Sequence, residues 1–178
     1  MPAIPPFPLD SNPVISRPST GAYDWDTLQR SNLPLMAAQE PIGSGGIIGE
    51  VNPMPQGESL FHKFPDYRVD LDPNPARVRV RFNGEWIADS DETLLVRETR
   101  HDPAVYFPRS GLRFEFLERT PHQSFCPFKG EASYWTLRVG DQNEENVAWS
   151  YEDPFGEVAG LKDYVAFYPD RVEFQGDG

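Results

Sequence analysis

A single cysteine, three histidines and a shortage of basic residues limit what this 178-residue chain can be. One thiol, Cys126, rules out an internal disulfide and any cysteine-cluster zinc site. His62, His101 and His122 show neither His-x-x-x-His nor His-x-Glu spacing, so no metal site is expected. Sixteen lysines and arginines stand against 28 acids, a formal charge of −12. Nucleic acids and anionic membrane surfaces are bound through basic footprints, so neither is an expected partner. No apolar run approaches the about 18 residues that a membrane-spanning helix requires. The first residues, MPAIPPFPLD, lack a basic stretch followed by an unbroken apolar one, so no secretory leader is expected. A cytoplasmic, reducing location is the default that follows.

Proline (19 residues) and aromatics (13%) are what the chain has in quantity. Long helices tolerate neither this many prolines nor the spacing of the apolar residues. Residues 1–60 read as a Pro/Gly-rich N-terminal arm with no core of its own. Its bulky residues, among them Phe7, Tyr23, Trp25, Ile47 and Ile48, favour packing across the following domain over a free tail. A short helical turn is expected near 24–30.

Residues 61–178 read as a β domain. From 77 the pattern turns to strands: 77–82, then Asn83-Gly84, the strongest short hairpin signal, then 85–90. That turn sets Val80 opposite Ile87 and Arg81 opposite Trp86, a guanidinium on an indole. Strands at 93–98, 105–107 and 112–116 follow, with Leu94, Val96 and Glu98 on one face of the first. The stretch 124–139, SFCPFKGEASYWTLRV, begins irregularly and then alternates. Glu131, Ser133, Trp135, Leu137 and Val139 fall on one side, Ala132, Tyr134, Thr136 and Arg138 on the other. A loop centred on Gln142 would set Leu137 opposite Val147, Trp135 opposite Trp149 and Ser133 opposite Tyr151. Both strands then grade from aliphatic through indole to polar, as a pocket with a dry floor and a wet mouth would. Asp153-Pro154 reads as the start of a short helix to about 162, and strands at 164–168 and 171–174 close the domain. The expected fold is mainly β: small and antiparallel, with one or two short helices and the long arm.

Four ionisable residues are candidate proton carriers. Lys129 and Glu131 flank Gly130, where a lysine beside a carboxylate can orient an anionic substrate and move a proton. As a surface ion pair the two would merely pin a bend. Glu98 and His101, in RETRHDP, form a second pair, because histidine titrates near neutrality. The plainer alternative is a strand-end carboxylate and a turn histidine. Tyr106, Tyr134, Trp149, Tyr151, Tyr164 and Tyr168 could line a ligand pocket, with Arg109 clamping a carboxylate. The same rings also suit the aromatic core of a small β domain. Cys126, beside Pro127 and Phe128, reads as buried core rather than nucleophile.

Five segments, VRVRFNGEWIADS, RETRHDPAVYFP, CPFKGEASYW, NVAWSYEDPF and YVAFYPDRV, resemble the family known as domain of unknown function 427. The resemblance spans about 77–174 and implies a small antiparallel β-tent fold with one or two short helices. It implies no established general activity. A nucleotidyltransferase-like label sometimes attached to that family would call for a Gly-Ser strand-to-helix phosphate loop followed by spaced aspartates, which this chain lacks.

The functional expectation is a small-molecule enzyme that uses acid/base chemistry without a cofactor, of isomerase, cyclase, dehydratase or hydrolase type. Its substrate would be apolar or aromatic with a polar head, and Glu98, His101, Lys129 and Glu131 would carry protons. The alternative is a non-catalytic small-ligand or peptide-binding β domain that uses its exposed edges and the arm. A homodimer through a sheet edge or the arm is compatible with either.

Overall fold

Ten strands run through the computed structural model, which describes residues 57–176. They are β1 (Val69–Asn74), β2 (Val78–Phe82), β3 (Glu85–Ser90), β4 (Thr93–Glu98) and β5 (Ala104–Pro108), followed by β6 (Leu117–Cys126), β7 (Gly130–Val139), β8 (Gln142–Ser150), β9 (Tyr164–Phe167) and β10 (Glu173–Gly176). Every strand pairing is antiparallel. Seven strands form one sheet in the order β1-β4-β5-β9-β8-β7-β6, and three form a second in the order β10-β2-β3. The mainly antiparallel β architecture is therefore as the sequence indicates. The helical turn expected near 24–30 and the packing of residues 1–56 lie outside the described residues.

Strand alternation builds two cores from the large sheet. Leu95, Val105, Phe107, Trp135, Leu137, Val139, Val165 and Phe167 project from one face and pack with Val78, Val80 and Ile87 of the small sheet. The opposite face carries Val96, Tyr106, Ala132, Tyr134 and Ala166, roofed by Val158 and Leu161 and by Leu60, Phe61 and Tyr67. This second core holds the site described below.

Two turns behave as their residues dictate. Asn83 and Gly84 take φ values of 45° and 84°, the positive pair that a type I′ turn needs. Arg81 faces Trp86 as expected, its guanidinium 5.7 Å from the ring. A bulge between Val80 and Arg81 then pairs Val80 with Ala88 rather than Ile87. At the other turn, the Lys129 N–H bonds the Cys126 carbonyl, and Gly130 follows at φ 102°.

Four local expectations are corrected. Strands β1 and β6 were not legible: each contains a proline, Pro73 or Pro121, and each is an edge of the large sheet, where a missing donor is tolerated. The segment 112–116 is not a strand but a single bridge, Leu112 to Ala88, followed by the 3-10 turn Phe114–Phe116. The helix placed from Asp153 begins later, as a 3-10 segment Gly156–Leu161 kinked at Val158 and without a side-chain cap. Two glycines in six residues leave little to propagate a regular α-helix.

The fourth correction concerns the β7–β8 register. Trp135 pairs with Ala148 and Leu137 with Glu144, so β8 carries two extra residues there. Asn146 adopts a left-handed φ of 52°, and its side chain accepts a hydrogen bond from the Thr120 hydroxyl at 2.6 Å. Beyond this irregularity Tyr134, not Trp135, faces Trp149, and Ser133 faces Ser150. Because the turn is Gly140-Asp141 rather than a loop centred on Gln142, and two extra residues leave the alternation in step, the two tryptophans sit on opposite faces, Trp135 in the inter-sheet core and Trp149 among the tyrosines.

Gly130→Ala is expected to destabilise the fold by more than about 1 kcal/mol, because φ 102° excludes an L side chain and a Cβ would meet the Asp153 carbonyl at 3.3 Å. Urea unfolding with an unchanged m-value measures it, and a midpoint equal to that of the wild type would contradict the turn described here.

Candidate functional site

Lys129 enters the second core from the β6–β7 turn, and its ammonium meets Glu98 Oε2 at the end of β4. These strands are far apart in the sheet order, so the pair ties its two wings together. The side chains are only 5% and 6% exposed. Glu98 continues the inward face of Leu94 and Val96, as alternation requires. Its other oxygen, Oε1, accepts a hydrogen bond from the Tyr67 hydroxyl at 2.6 Å. Tyr67 lies flat on Phe128, with centroids 3.6 Å apart and planes 9° apart. The Lys129 Nζ also stands 5.4 Å from the centroid of the buried Tyr151 ring.

A row of aromatic side chains leads away from this pair. Trp149 donates its indole N–H to the Tyr106 hydroxyl at 3.0 Å and packs 4.6 Å from Tyr168. Tyr168 hydrogen-bonds Tyr134, whose hydroxyl lies 2.7 Å from Ser124 Oγ and whose ring lies 4.5 Å from exposed His122. Tyr164 packs against the same cluster. All six rings singled out in the sequence thus meet on one face.

Burial sets the electrostatics. Desolvation is the largest influence on Tyr67, Tyr106, Tyr151 and Tyr168 and pushes each phenol above its ordinary value; for Tyr67, Glu98 adds to the rise. These hydroxyls therefore stay protonated at neutral pH and serve as donors. Burial also pushes the Cys126 thiol up, against the pull of Lys129, so Cys126 is an inert core residue at neutral pH. For Lys129 burial acts downward, but the acidic groups around it, Tyr106, Glu98 and Cys126, act upward and hold the ammonium above its ordinary value.

The structure re-partners the four expected proton carriers. Lys129 pairs with Glu98 rather than Glu131, which is exposed and accepts a hydrogen bond from Gln123 at 2.6 Å. His101 is exposed in the turn after β4, its N–H bonded to the Glu98 carbonyl. Arg109 belongs to the other face, 4.4 Å over Phe114 and 3.8 Å from Glu152. The sequence reading passed over two participants, Tyr67 and Phe128. Phe128 lay in plain view within CPFKG, whereas Tyr67 precedes the strand pattern and carried no signal.

With Trp135 and Trp149 on opposite faces of the sheet, the expected hollow does not lie between them. Two open concavities, of about 390 and 280 Å³, lie at the small sheet around Arg81, Trp86, Arg171 and Phe174. Neither borders Trp135, Trp149 or Lys129. The Tyr67 hydroxyl and the Tyr151 ring stand against the pair, whose side chains are nearly sealed from solvent.

Residues 70–178 match the family described as Domain of unknown function (DUF427). The chain belongs to this family. The matched segment contains Glu98, Lys129, Phe128 and every ring of the row, while Tyr67 and the chain before it lie just outside. No curated protein matches the sequence. Among the described residues no helix is long and apolar enough to cross a membrane.

Stability is expected to fall on the alkaline side. Each raised group keeps its proton longer in the folded state than in the unfolded one, so the unfolded chain releases protons first as pH rises. The loss starts with Cys126 near about pH 8.5 and steepens past about pH 10 as the tyrosines join. Thermal midpoints across this range measure it. Tyrosinate absorbance from the buried phenols should appear with unfolding, and its appearance well below the unfolding pH would overturn the assignment.

Proposed function

We propose that Glu98 and Lys129 form the reactive centre of a cofactor-independent acid/base enzyme acting on a small apolar or aromatic molecule with a polar head. The observation that carries this reading is the sealed ion pair itself. Two ions withdrawn from water cost several kcal/mol each before their attraction is counted, and an apolar pair of similar volume commonly leaves a fold as stable or more so. A charge pair kept in such a place, among protonated tyrosine hydroxyls, suits chemistry better than stability.

The roles follow from the partners. Glu98 takes a proton from the substrate, and the Lys129 ammonium steadies negative charge developing on a neighbouring oxygen. Tyr106 and Tyr151, held protonated by burial, supply fixed dipoles around the pair. Isomerisation, cyclisation, dehydration and hydrolysis all fit this set. His101 and Glu131, both exposed, have no part in it.

A second reading, a non-catalytic binding domain, is favoured by one observation: the concavities at the small sheet are open and lined by Arg81, Trp86 and Phe174. The two readings separate on incubation with a metabolite extract of the native host, following which small molecules are consumed. For an enzyme, Glu98→Gln should lower kcat by about 10²–10⁴, whereas the double variant Glu98→Leu/Lys129→Met should keep or raise stability while losing turnover. Consumption unaffected by Glu98→Gln in a folded protein would end the catalytic reading. Retention of an intact ligand without turnover would favour the binding one.

A further inference from the structure

The Glu98–Lys129 centre already holds a phenol, and the chain supplies it. Tyr67 rests on Phe128 at 3.6 Å and 9°, while its hydroxyl donates to Glu98. Aromatic pairs in protein interiors prefer tilted or offset arrangements with centroids 4.5–7 Å apart. The neighbouring pairs follow that preference: Phe61–Phe128 at 5.2 Å and 65°, Tyr106–Trp149 at 6.0 Å and 85°. The near-parallel Tyr67–Phe128 stack departs from it: Phe128 forms one flat wall, and Glu98 the polar end, of the slot that the Tyr67 ring fills.

The segment bearing Tyr67 is fastened at its two ends, by the Leu60 N–H to the Pro127 carbonyl in the β6–β7 turn at 2.9 Å and by the Thr99 N–H to the Arg68 carbonyl at 2.9 Å, and between them it is held by packing of Phe61 and Tyr67. The other main-chain bonds there are internal, including Lys63 N–H to Leu60 and Tyr67 N–H to Phe64. The Ser59 hydroxyl adds one side-chain tie, to Glu157. Phe64, in the middle, is 52% exposed. The family match begins at residue 70, within β1 and three residues after Tyr67, and it contains Phe128, Glu98 and Lys129.

We infer that Tyr67 is a removable plug and that the slot's own ligand is a planar phenol, stacked on Phe128 with its hydroxyl on Glu98 beside Lys129. This rests on the reading of Glu98 and Lys129 as the reactive centre and adds the substrate class to it. Charge selects the class. The buried pair is neutral as a whole, and a phenol replaces the Tyr67 ring and hydroxyl like for like. A carboxylate would set a second negative charge against Glu98, and an amine a second positive charge against Lys129, each without a partner in a desolvated site. An aliphatic alcohol would satisfy Glu98 but leave the Phe128 face uncovered.

Fluorine NMR of 4-fluorophenol and fluorobenzene, titrated against the full chain, tests this. Tyr67→Ala vacates the slot and should bind 4-fluorophenol at least about tenfold more tightly than the wild type does. It should also prefer 4-fluorophenol over fluorobenzene by about tenfold to a hundredfold, the worth of a hydrogen bond to a charged group. Adding Glu98→Leu/Lys129→Met should erase that preference. A folded Tyr67→Ala that binds no tighter than the wild type, or binds both probes alike, overturns the inference. Should that variant not fold, hydrogen exchange on the wild type decides. Saturating 4-fluorophenol should speed exchange at the Leu60 and Tyr67 amides severalfold by displacing the plug, and unchanged rates overturn the inference. The readout is equilibrium binding, so it fails independently of turnover: loss of activity in Glu98→Gln without phenol binding would spare the reactive centre and remove only the ligand class.

Discussion

An ammonium group sealed from water must find a counter-charge, and Lys129 finds Glu98. Glu98 ends β4 and Lys129 lies in the β6–β7 turn, at opposite wings of a seven-stranded sheet, so their meeting constrains the curvature of everything between them. The tight turn at Gly130 points Lys129 inward, and pleating points Glu98 the same way. The tyrosines inherit their positions from this arrangement, because the row from Tyr106 through Trp149 to Tyr134 lies on the face that the pair closes off. Losing one member strands the other charge, so the pair holds together as a unit or not at all.

The site is dense rather than hollow. Tyr67, stacked on Phe128, satisfies the Glu98 oxygen that Lys129 leaves over. A carboxylate with both oxygens engaged, one by a cation and one by a hydroxyl, is at rest. Exchange of that hydroxyl for another is the least costly way to change its state.

Much of the site could be read from residues alone. Alternation in 93–98 placed Glu98 with Leu94 and Val96, and alternation in β7 separated Ala132 and Tyr134 from Trp135 and Leu137. Asn83-Gly84 named its own turn. The errors lie where the chain departs from the regular local pattern, at turns, bulges and edge strands. The β7–β8 turn is Gly140-Asp141 rather than a loop centred on Gln142, and the parity it sets, which the two extra residues around Asn146 preserve, puts Trp149 on the face opposite Trp135. Pro73 and Pro121 hid two edge strands, because a proline that would break a central strand costs little where no partner lies outside it.

Composition and pattern by themselves determined a cysteine-poor, acidic, antiparallel β chain, the family it belongs to and the aromatic residues that gather on one face. Those properties depend on side-chain chemistry and a two-residue period, both local. Only the tertiary structure decided that Lys129 answers Glu98 rather than Glu131, and that Tyr67 completes the set. Partners separated by 31 residues meet because sheet order and curvature bring them together, and neither quantity is written in any one stretch of chain.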